Sequence, residues 1–339
     1  MDAGFLDNQM TTLRIATFNL ENLDDRDRDQ ASLDTRIQVL RPQLQRLDAD
    51  ILCLQEINAQ PESGHRRSLR ALDRLLEDTP YADYSRAVTS NDAGDNPRDV
   101  HNLVVLSRRP IRITRQYLNQ LVPPPKYRPV SAVPAHGTLE PVWWERPILF
   151  VTIELADGRL LQIINLHLRA PLPSFIEGQK LEPFVWKSVA GWAEGTFISE
   201  IKRTGQAFEA RLVVDSVFDA NPQALIAVLG DLNADGRDAP LKILRGEIEE
   251  TGNPLLAGRM LAPVELNLPA DRRFSVLHYG QRLMLDHILV SRGLLAGFRH
   301  AEIHNELLTD ELVAFFAGRR DADSYHAPVV AEFDLDVNR

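Results

Sequence analysis

Polar residues able to bind a metal ion or a phosphate stand at the ends of apolar runs along this chain. They fall in Thr17-Phe18-Asn19-Leu20-Glu21-Asn22, Leu54-Gln55-Glu56, Asn165-Leu166-His167-Leu168, Gly230-Asp231-Leu232-Asn233-Ala234-Asp235, Leu285-Asp286-His287-Ile288 and Tyr325-His326-Ala327-Pro328. Hydropathic periodicity alone would not place carboxylates, amides and imidazoles there. Together they suit hydrolysis of a phosphate ester, in which water is held in line with phosphorus while negative charge spreads over the phosphate oxygens. A cation such as Mg²⁺ keeps several waters and needs few protein ligands, so one carboxylate and one amide oxygen suffice to hold it. A carboxylate beside a histidine stabilises the imidazolium and fixes which ring nitrogen faces the phosphate.

Singly, these residues are ordinary: a lone Glu at a strand end is usually a turn or surface residue, and a lone histidine is usually satisfied in the core or at the surface. Their order along the chain carries the signal. Asp231-Leu-Asn233-Ala-Asp235-Gly236 also opens like a calcium-binding EF-hand loop, but its twelfth position is Lys242 instead of a bidentate Glu. His287 follows Asp286 on an expected strand and therefore points to the opposite face, a structural position. His300 and His304 lack the His-Glu-x-x-His pattern of zinc peptidases and are expected at the surface.

The elements that must position these groups are short runs rich in Ile, Val and Leu at 13–18, 51–54, 103–106, 148–155, 160–166, 224–229, 285–290 and 328–335, which read as strands. Several are apolar without alternation, as in sheets buried on both faces, so helices must cover them. Helical stripes follow at 33–47 (Leu33, Ile37, Leu40, Leu44, Leu47) and 69–76. The longest helical stretch, 183–221, spaces Val185, Val189, Trp192, Phe197 and Ile201, and then Phe208, Leu212 and Val217, three to five residues apart. It reads as a helical insertion between core strands. Without an internal repeat or a Pro/Gly/Ser linker, residues 12–336 are expected to form one domain. Substrate choice is expected in the loops 90–102, 116–146 and 170–194, where Trp143, Trp144, Trp186 and Trp192 could stack on bases or sugars. Trp192 is expected in the core.

The composition, 44% hydrophobic and 25% charged over 339 residues, is that of an ordinary globular protein. The net charge of −10 does not attract a polyanion, so strong non-specific nucleic-acid binding is not expected. A phosphate path would rest on local arginines, with Arg108, Arg109, Arg169 and Arg211 as candidates. Cys53, the only cysteine, sits in an apolar run and reads as a small buried hydrophobe, with no disulfide framework. No apolar run reaches the roughly 18 residues of a membrane span, and no basic stretch leads into an apolar one near Met1. The chain as given is therefore expected to be cytoplasmic, a secreted location requiring that a leader had been trimmed.

In order, the quoted pieces Thr17–Asn22, Leu54–Glu56, Asn165–Leu168, Gly230–Ala234 and Leu285–Ser291 resemble the motifs of the endonuclease/exonuclease/phosphatase superfamily. This is the superfamily of pancreatic-type deoxyribonucleases, apurinic-site endonucleases, bacterial sphingomyelinases and inositol polyphosphate phosphatases. The resemblance runs from about Leu13 to Leu335. It implies a four-layered α/β sandwich of two packed mixed sheets flanked by helices, with the site at one end of the sheets. It further implies that Asn19 and Glu56 hold Mg²⁺ or Mn²⁺ and that His167 contacts the scissile phosphate. Asp231 and Asn233 would handle the nucleophile, and Asp286 would orient His326. Arg169 and Tyr325 are assigned to the substrate. The family's usual Ser-Asp-His ending reads Ser324-Tyr325-His326 here. The missing carboxylate implies an impaired site unless Asp321 or Asp323 folds back to replace it, while a Tyr325 in contact with substrate would mean specialisation. The activity implied is that of a monomeric Mg²⁺-dependent phosphodiesterase or nuclease. The alternatives are a phosphomonoesterase or lipid phosphodiesterase on the same scaffold, or an impaired phosphate- or nucleic-acid-binding protein.

Overall fold

The structure, a computed structural model, describes residues 12–26, 31–318 and 321–338. Its two large sheets are built from β1 (Thr12–Leu23), β2 (Ile51–Ile57), β3 (Ser85–Val88), β4 (Asn102–Ser107), β5 (Ile111–Tyr117), β6 (Ile148–Glu154), β7 (Leu160–His167), β8 (Leu225–Asp231), β9 (Leu261–Pro263), β10 (Asp286–Ser291), β11 (Phe298–Ile303) and β12 (Val329–Asp334). The strand orders are β11-β12-β1-β2-β4-β3 and β9-β10-β8-β7-β6-β5, six strands in each. Both sheets are mixed, because β1 runs parallel to β2 and β7 parallel to β8 while their other neighbours are antiparallel.

Side-chain alternation assigns the layers. On β1, Leu13 and Ile15 enter the cluster shared by the two sheets, with Cys53 of β2, Ile163 of β7 and Ile288 of β10. Ala16 and Phe18, one step out of phase, pack against Leu40, Leu44 and Leu47 of α1 (Leu33–Leu47) and Leu72 and Leu75 of α2 (Arg70–Leu76). On the far side Ile164 and Leu166 of β7 lie under Ala210, Val213 and Val214 of α3 (Val189–Ala220), beside Leu241 and Leu244 of α4 (Ala239–Arg245). Helices outside and two sheets inside make the four-layered α/β sandwich. Among the described residues no helix is long and apolar enough to cross a membrane.

Helix α3 differs from its sequence expectation. It starts at Val189, where the Ser188 hydroxyl caps it by accepting from Gly191 N, and residues 180–182 pair with 185–186 in a short hairpin before it. Parallel neighbours such as β7 and β8 require a crossover, and α3 is that crossover. Its buried face is the small-residue stripe Ala207, Ala210, Val213 and Val214, whereas Val189, Trp192, Phe197 and Phe208 are exposed. Small residues let the helix approach its neighbours: a Cβ on Gly205 would stand 2.6 Å from the Trp144 ring. Trp144, at 1% exposure, is therefore the core tryptophan, and Trp192, at 47%, is not.

Two further expectations are corrected. His300 is exposed, but the His304 ring is covered, at 7% side-chain exposure, and bonds Glu302 at 2.9 Å. Of the arginines proposed for a phosphate path, Arg108 pairs with Asp50 at the opposite end of the first sheet and Arg109 follows it. Arg211 is held by Asp215 and the carbonyls of Leu244 and Arg259.

His287 faces outward from β10, as its parity requires, and its Nδ1 meets Glu265 Oε1 at 2.5 Å while Nε2 meets Ala234 O at 2.9 Å. Burial pulls its pKa down, but Glu265 more than offsets this and holds it above the ordinary value. The pair's contribution to stability is thus complete below the unfolded value of ~6.5 and is lost as pH rises through the higher folded value. His287→Leu leaves Glu265 buried without its partner and should cost about 3–5 kcal/mol in urea unfolding. Adding Glu265→Leu should recover most of that loss. A single variant as stable as wild type would remove the pair from the fold's energetics.

Candidate active site

At one end of both sheets the inward-facing alternation that carries Ile15, Cys53, Ile163, Leu229 and Ile288 changes from apolar to polar. The next inward positions are Thr17 and Asn19 on β1, Gln55 on β2, Asn165 and His167 on β7, Asp231 on β8 and Asp286 on β10. In strand register His167 lies opposite Asp231, and Asp231 opposite Asp286, so three functional groups stand in one row. Beneath them Gln55 Nε2 donates to Asn165 Oδ1 (2.8 Å) and Thr17 Oγ1 (3.0 Å), and Asn165 Nδ2 donates to the Leu54 and Val104 carbonyls (3.1 and 3.0 Å). This buried network joins the sheets.

Glu56 should point away from the gap, since Gln55 points into it. Its φ of +60° and the local irregularity in strand pairing turn it back toward the site. Glu21, Asn22, His101 and Asn233 are also left-handed, at 46°, 51°, 56° and 46°. Such strain in non-glycine residues gathers at functional sites. Glu56 Oε2 accepts from Asn22 N (3.0 Å), and its Oε1 lies 3.3 Å from Asn19 Nδ2 and 3.5 Å from His167 Nε2. Asp231 accepts from Asn233 N (2.9 Å), Asn233 Nδ2 (3.0 Å) and Asn19 Nδ2 (3.0 Å), with His167 Nε2 at 3.2 Å. His326 Nδ1 lies 2.7 Å from Asp286 Oδ2, and its Nε2 lies 3.9 Å from Asp231 Oδ2. Ser324 Oγ donates to Asn19 O (2.7 Å), and Ser275 Oγ accepts from Asp286 N (3.0 Å), which ties the loops to the strands.

Burial opposes charge at His326, Asp231 and Glu56, and there the neighbours overcome it, whereas at Asp286 burial prevails and raises the carboxyl. His326 is pulled down by burial, but the facing carboxylates of Asp286 and Asp231 hold it well above its ordinary value, as an imidazolium. Burial would raise Asp231, yet His326 and His167 keep it well below the usual carboxylate range. Glu56, likewise raised by burial, is brought below its ordinary value by His167, His101 and Arg146.

Seven expected residues, Asn19, Glu56, His167, Asp231, Asn233, Asp286 and His326, thus meet in one cluster. Arg169 lies at its rim, 3.6 Å from Glu145, and Tyr325 approaches through its backbone N–H, which donates to Glu21 Oε2 (3.0 Å). Asp323 is turned toward Gln43 (2.8 Å), and Asp321 lies beside Tyr325, whose phenol is raised well above the usual value by burial, Asp321 and Glu21. Sequence reasoning assigned no role to Glu21, His101 or Arg146. Burial pushes Glu21 up to about 7, opposed by Tyr325 N–H and His326. His101 is pulled down by burial to about 4, and its Nε2 lies 2.9 Å from Asn22 Oδ1. The Arg146 guanidinium donates to Leu168 O (2.8 Å), with Glu56 and Asp231 as its nearest opposing charges. A signal existed for two of them: His101 precedes β4 and Arg146 precedes β6, strands that begin at the end where β2 and β7 finish.

Two groups of side chains bring ligand atoms within 4.8 Å of one another, Glu56 with His167 and Asp231, and Asp231 with Asp286 and His326. His167 Nδ1 and Asp286 Oδ1 are buried without a hydrogen-bond partner among the described residues. A donor set this rich in carboxylate oxygen fits a hard divalent cation. The sequence profile of the Endonuclease/Exonuclease/phosphatase family matches residues 16–310. This chain belongs to that family. Solved structures of similar fold include a family member from Bacteroides thetaiotaomicron (TM-score 0.59, 17% identity, 96% of each chain covered). The mannosyl-6-phosphatase Bt3783 of B. thetaiotaomicron VPI-5482 is another (0.57, 16%, 94% of this chain and 98% of that one). D. rerio TDP2 in complex with a single-stranded DNA product is a third (0.54, 17%, 96% and 100%). No curated protein matches the sequence. As a member of this family, the chain is a phosphoester hydrolase.

Asn165→Leu keeps the volume but removes the side-chain donor to the Leu54 and Val104 carbonyls and one acceptor of the Gln55 amide. It should lower stability by about 3 kcal/mol in urea unfolding and reduce turnover with it, because Glu56 adjoins Gln55. Wild-type stability in this variant would show that the sheets are held in register elsewhere.

Proposed function

We propose that this chain is a divalent-metal-dependent phosphodiesterase, with Mg²⁺ or Mn²⁺ as cofactor and hydrolysis by in-line attack of water. The convergence of Glu56, His167, Asp231, Asp286 and His326 on one space carries this reading. Glu56 would hold the cation. Asn19 turns its Nδ2 to Glu56 and Asp231 while its Oδ1 accepts from Glu21 N, so it becomes a second ligand with the amide turned over. When bound, the cation supplies Lewis-acid stabilisation of the phosphate charge.

The remaining steps rest on the protein's own groups. Asp231, fixed by two bonds from Asn233, orients the attacking water and takes its proton as the new phosphorus–oxygen bond forms and the bond to the ester oxygen opposite breaks, that oxygen departing as an alkoxide or aryloxide that takes a proton from solvent. His326, held by Asp286, presents positive charge to the phosphate, with His167 and Arg146 on the other side. Glu21 stands beside Tyr325, where the family pattern has its Asp, and supplies a carboxylate from β1 instead. This favours a working site over an impaired one. Arg169 at the rim is available to the substrate, and Tyr325, neutral at pH 7, is available to it as a hydrogen-bonding group.

Hydrolysis of bis(4-nitrophenyl) phosphate with added Mg²⁺ or Mn²⁺ tests the reading. Asp231→Asn and His326→Gln should each lower kcat by about 10²–10⁴, and Glu56→Gln should weaken metal affinity by calorimetry without changing the melting temperature. Metal-independent turnover, or variants within tenfold of wild type, would overturn it.

Glu21→Gln and Tyr325→Phe separate the two readings of the terminal loop. If Glu21 supplies the missing carboxylate, Glu21→Gln should lower metal-dependent turnover at least tenfold, while Tyr325→Phe changes it less than threefold, in the range of one neutral hydrogen bond. The reverse ranking assigns the role to the Tyr325 hydroxyl.

A further inference from the structure

A groove of about 540 Å³ opens beside the catalytic cluster and has no part in the chemistry described above. It begins where Glu145 and Arg169 flank the contact from Arg146 to Leu168 O, so its inner end adjoins the phosphate position. The loops that wall it rest on the N-terminal half of α3 through Ile198, Val142 and Ile176.

Its polar side chains are mostly engaged with one another. Tyr127 donates its hydroxyl to Glu194 (2.7 Å), His136 Nε2 lies 2.9 Å from Glu177, and Glu145 takes both Arg169 and Lys202. What the groove presents to an incoming group is apolar and flat: Trp143 is 52% exposed and Phe175 is 71% exposed. Phe175 also lines a second hollow of about 430 Å³ with Pro173, Leu181 and Pro183, so the apolar wall continues outward. A polyol would need free donors and acceptors along these walls, and those of Tyr127, His136, Glu145 and Lys202 are committed, while the free hydroxyl of Ser174 is buried. An aromatic ring needs an exposed ring to stack against, and Trp143 and Phe175 each offer one on the groove wall.

Resting on the phosphodiesterase reading, we propose that this groove is the subsite for one organic arm of the substrate and that it takes a flat aromatic group, packed against Trp143 and Phe175. At the phosphate end of the groove Arg169 and Lys202 share the single carboxylate of Glu145. The class of substrate is thus an aryl- or nucleobase-bearing phosphate diester.

Phosphinates carry two organic arms on phosphorus through bonds that are not hydrolysed, so they report on the groove without turnover. Calorimetric titration of the Mg²⁺-loaded protein should give diphenylphosphinate at least tenfold tighter than dimethylphosphinate, the size expected of ring stacking. Trp143→Ala and Phe175→Ala, both at exposed positions, should each bring that ratio to threefold or less with an unchanged melting temperature. Equal affinities in the wild type, or a ratio that survives in both variants, would overturn the subsite. Hydrolysis of bis(4-nitrophenyl) phosphate, run alongside, keeps the two readings apart. Turnover without phinyl selectivity defeats the groove alone, and selectivity without turnover defeats the phosphodiesterase alone.

Discussion

The bond from Gln55 Nε2 to Asn165 Oδ1, 2.8 Å long and fully buried, is the constraint on which the site depends. The apolar contact between the two sheets supplies adhesion but little direction, because hydrophobic burial is indifferent to small sliding movements. A satisfied polar bridge in low dielectric is directional and costly to break. Glu56 is the next residue after Gln55, and His167 lies two residues beyond Asn165 on the same face. The 3.5 Å approach of Glu56 to His167 therefore inherits its precision from the bridge. Slippage by one residue would turn His167 toward α3 and leave Asp231 without its imidazole.

Above the bridge the backbone leaves regular geometry. Glu21, Asn22, Glu56, His101 and Asn233 hold left-handed φ values, at a cost of order 1–3 kcal/mol each. Specific tethers sustain them. Arg36 from α1 donates to the Leu20, Glu21 and Ala322 carbonyls, at 2.7, 3.0 and 3.4 Å, joining the end of β1 to the terminal loop. Asn58 Oδ1 accepts from His101 N at 3.0 Å. The strain re-aims side chains that strand alternation would point elsewhere, which is how a carboxylate from β2 reaches a space lined by β7 and β8.

This division explains what could be read from the sequence. Asn19, His167, Asp231 and Asp286 follow the alternation of the strands that carry them, so an apolar run ending in a polar residue announces each of them. The strands themselves were legible from Ile, Val and Leu runs, except exposed edge strands such as β5, whose residues Arg112, Ile113, Thr114 and Arg115 face water and lack an apolar run. Glu21 was passed over because its orientation comes from a left-handed turn, and a turn between Leu20 and Asn22 leaves no periodic signal. His101 and Arg146 precede their strands instead of ending them, and only the antiparallel pairing of β4 with β2 and of β6 with β7 brings them to the site. On α3 the large apolar residues suggested the buried stripe, but close packing selected the small ones and left Trp192 outside.

Helix α3 also joins the candidate active site to the groove beside it. Arg203 donates to Asn233 O (2.6 Å), and Gln206 donates to Arg146 O (3.0 Å) and His167 O (3.2 Å), so about one turn of helix holds three strands' worth of site backbone. Glu209 accepts from Asn119, Gln120 and Leu121 N–H groups and from Trp144 Nε1, which anchors the loops leading to Arg146. Toward its N-terminus the same helix supports the groove through Glu194, which binds Tyr127, Val130 and Ser131, and through Ile198. The part of the helix that touches the catalytic backbone is therefore separated along its axis from the part that shapes the groove. Arg203, Gln206 and Glu209 carry these contacts, each holding backbone groups of the site or of the loops beside it. The exposed residues before Glu200 are free to vary with the substrate, because no catalytic group depends on them.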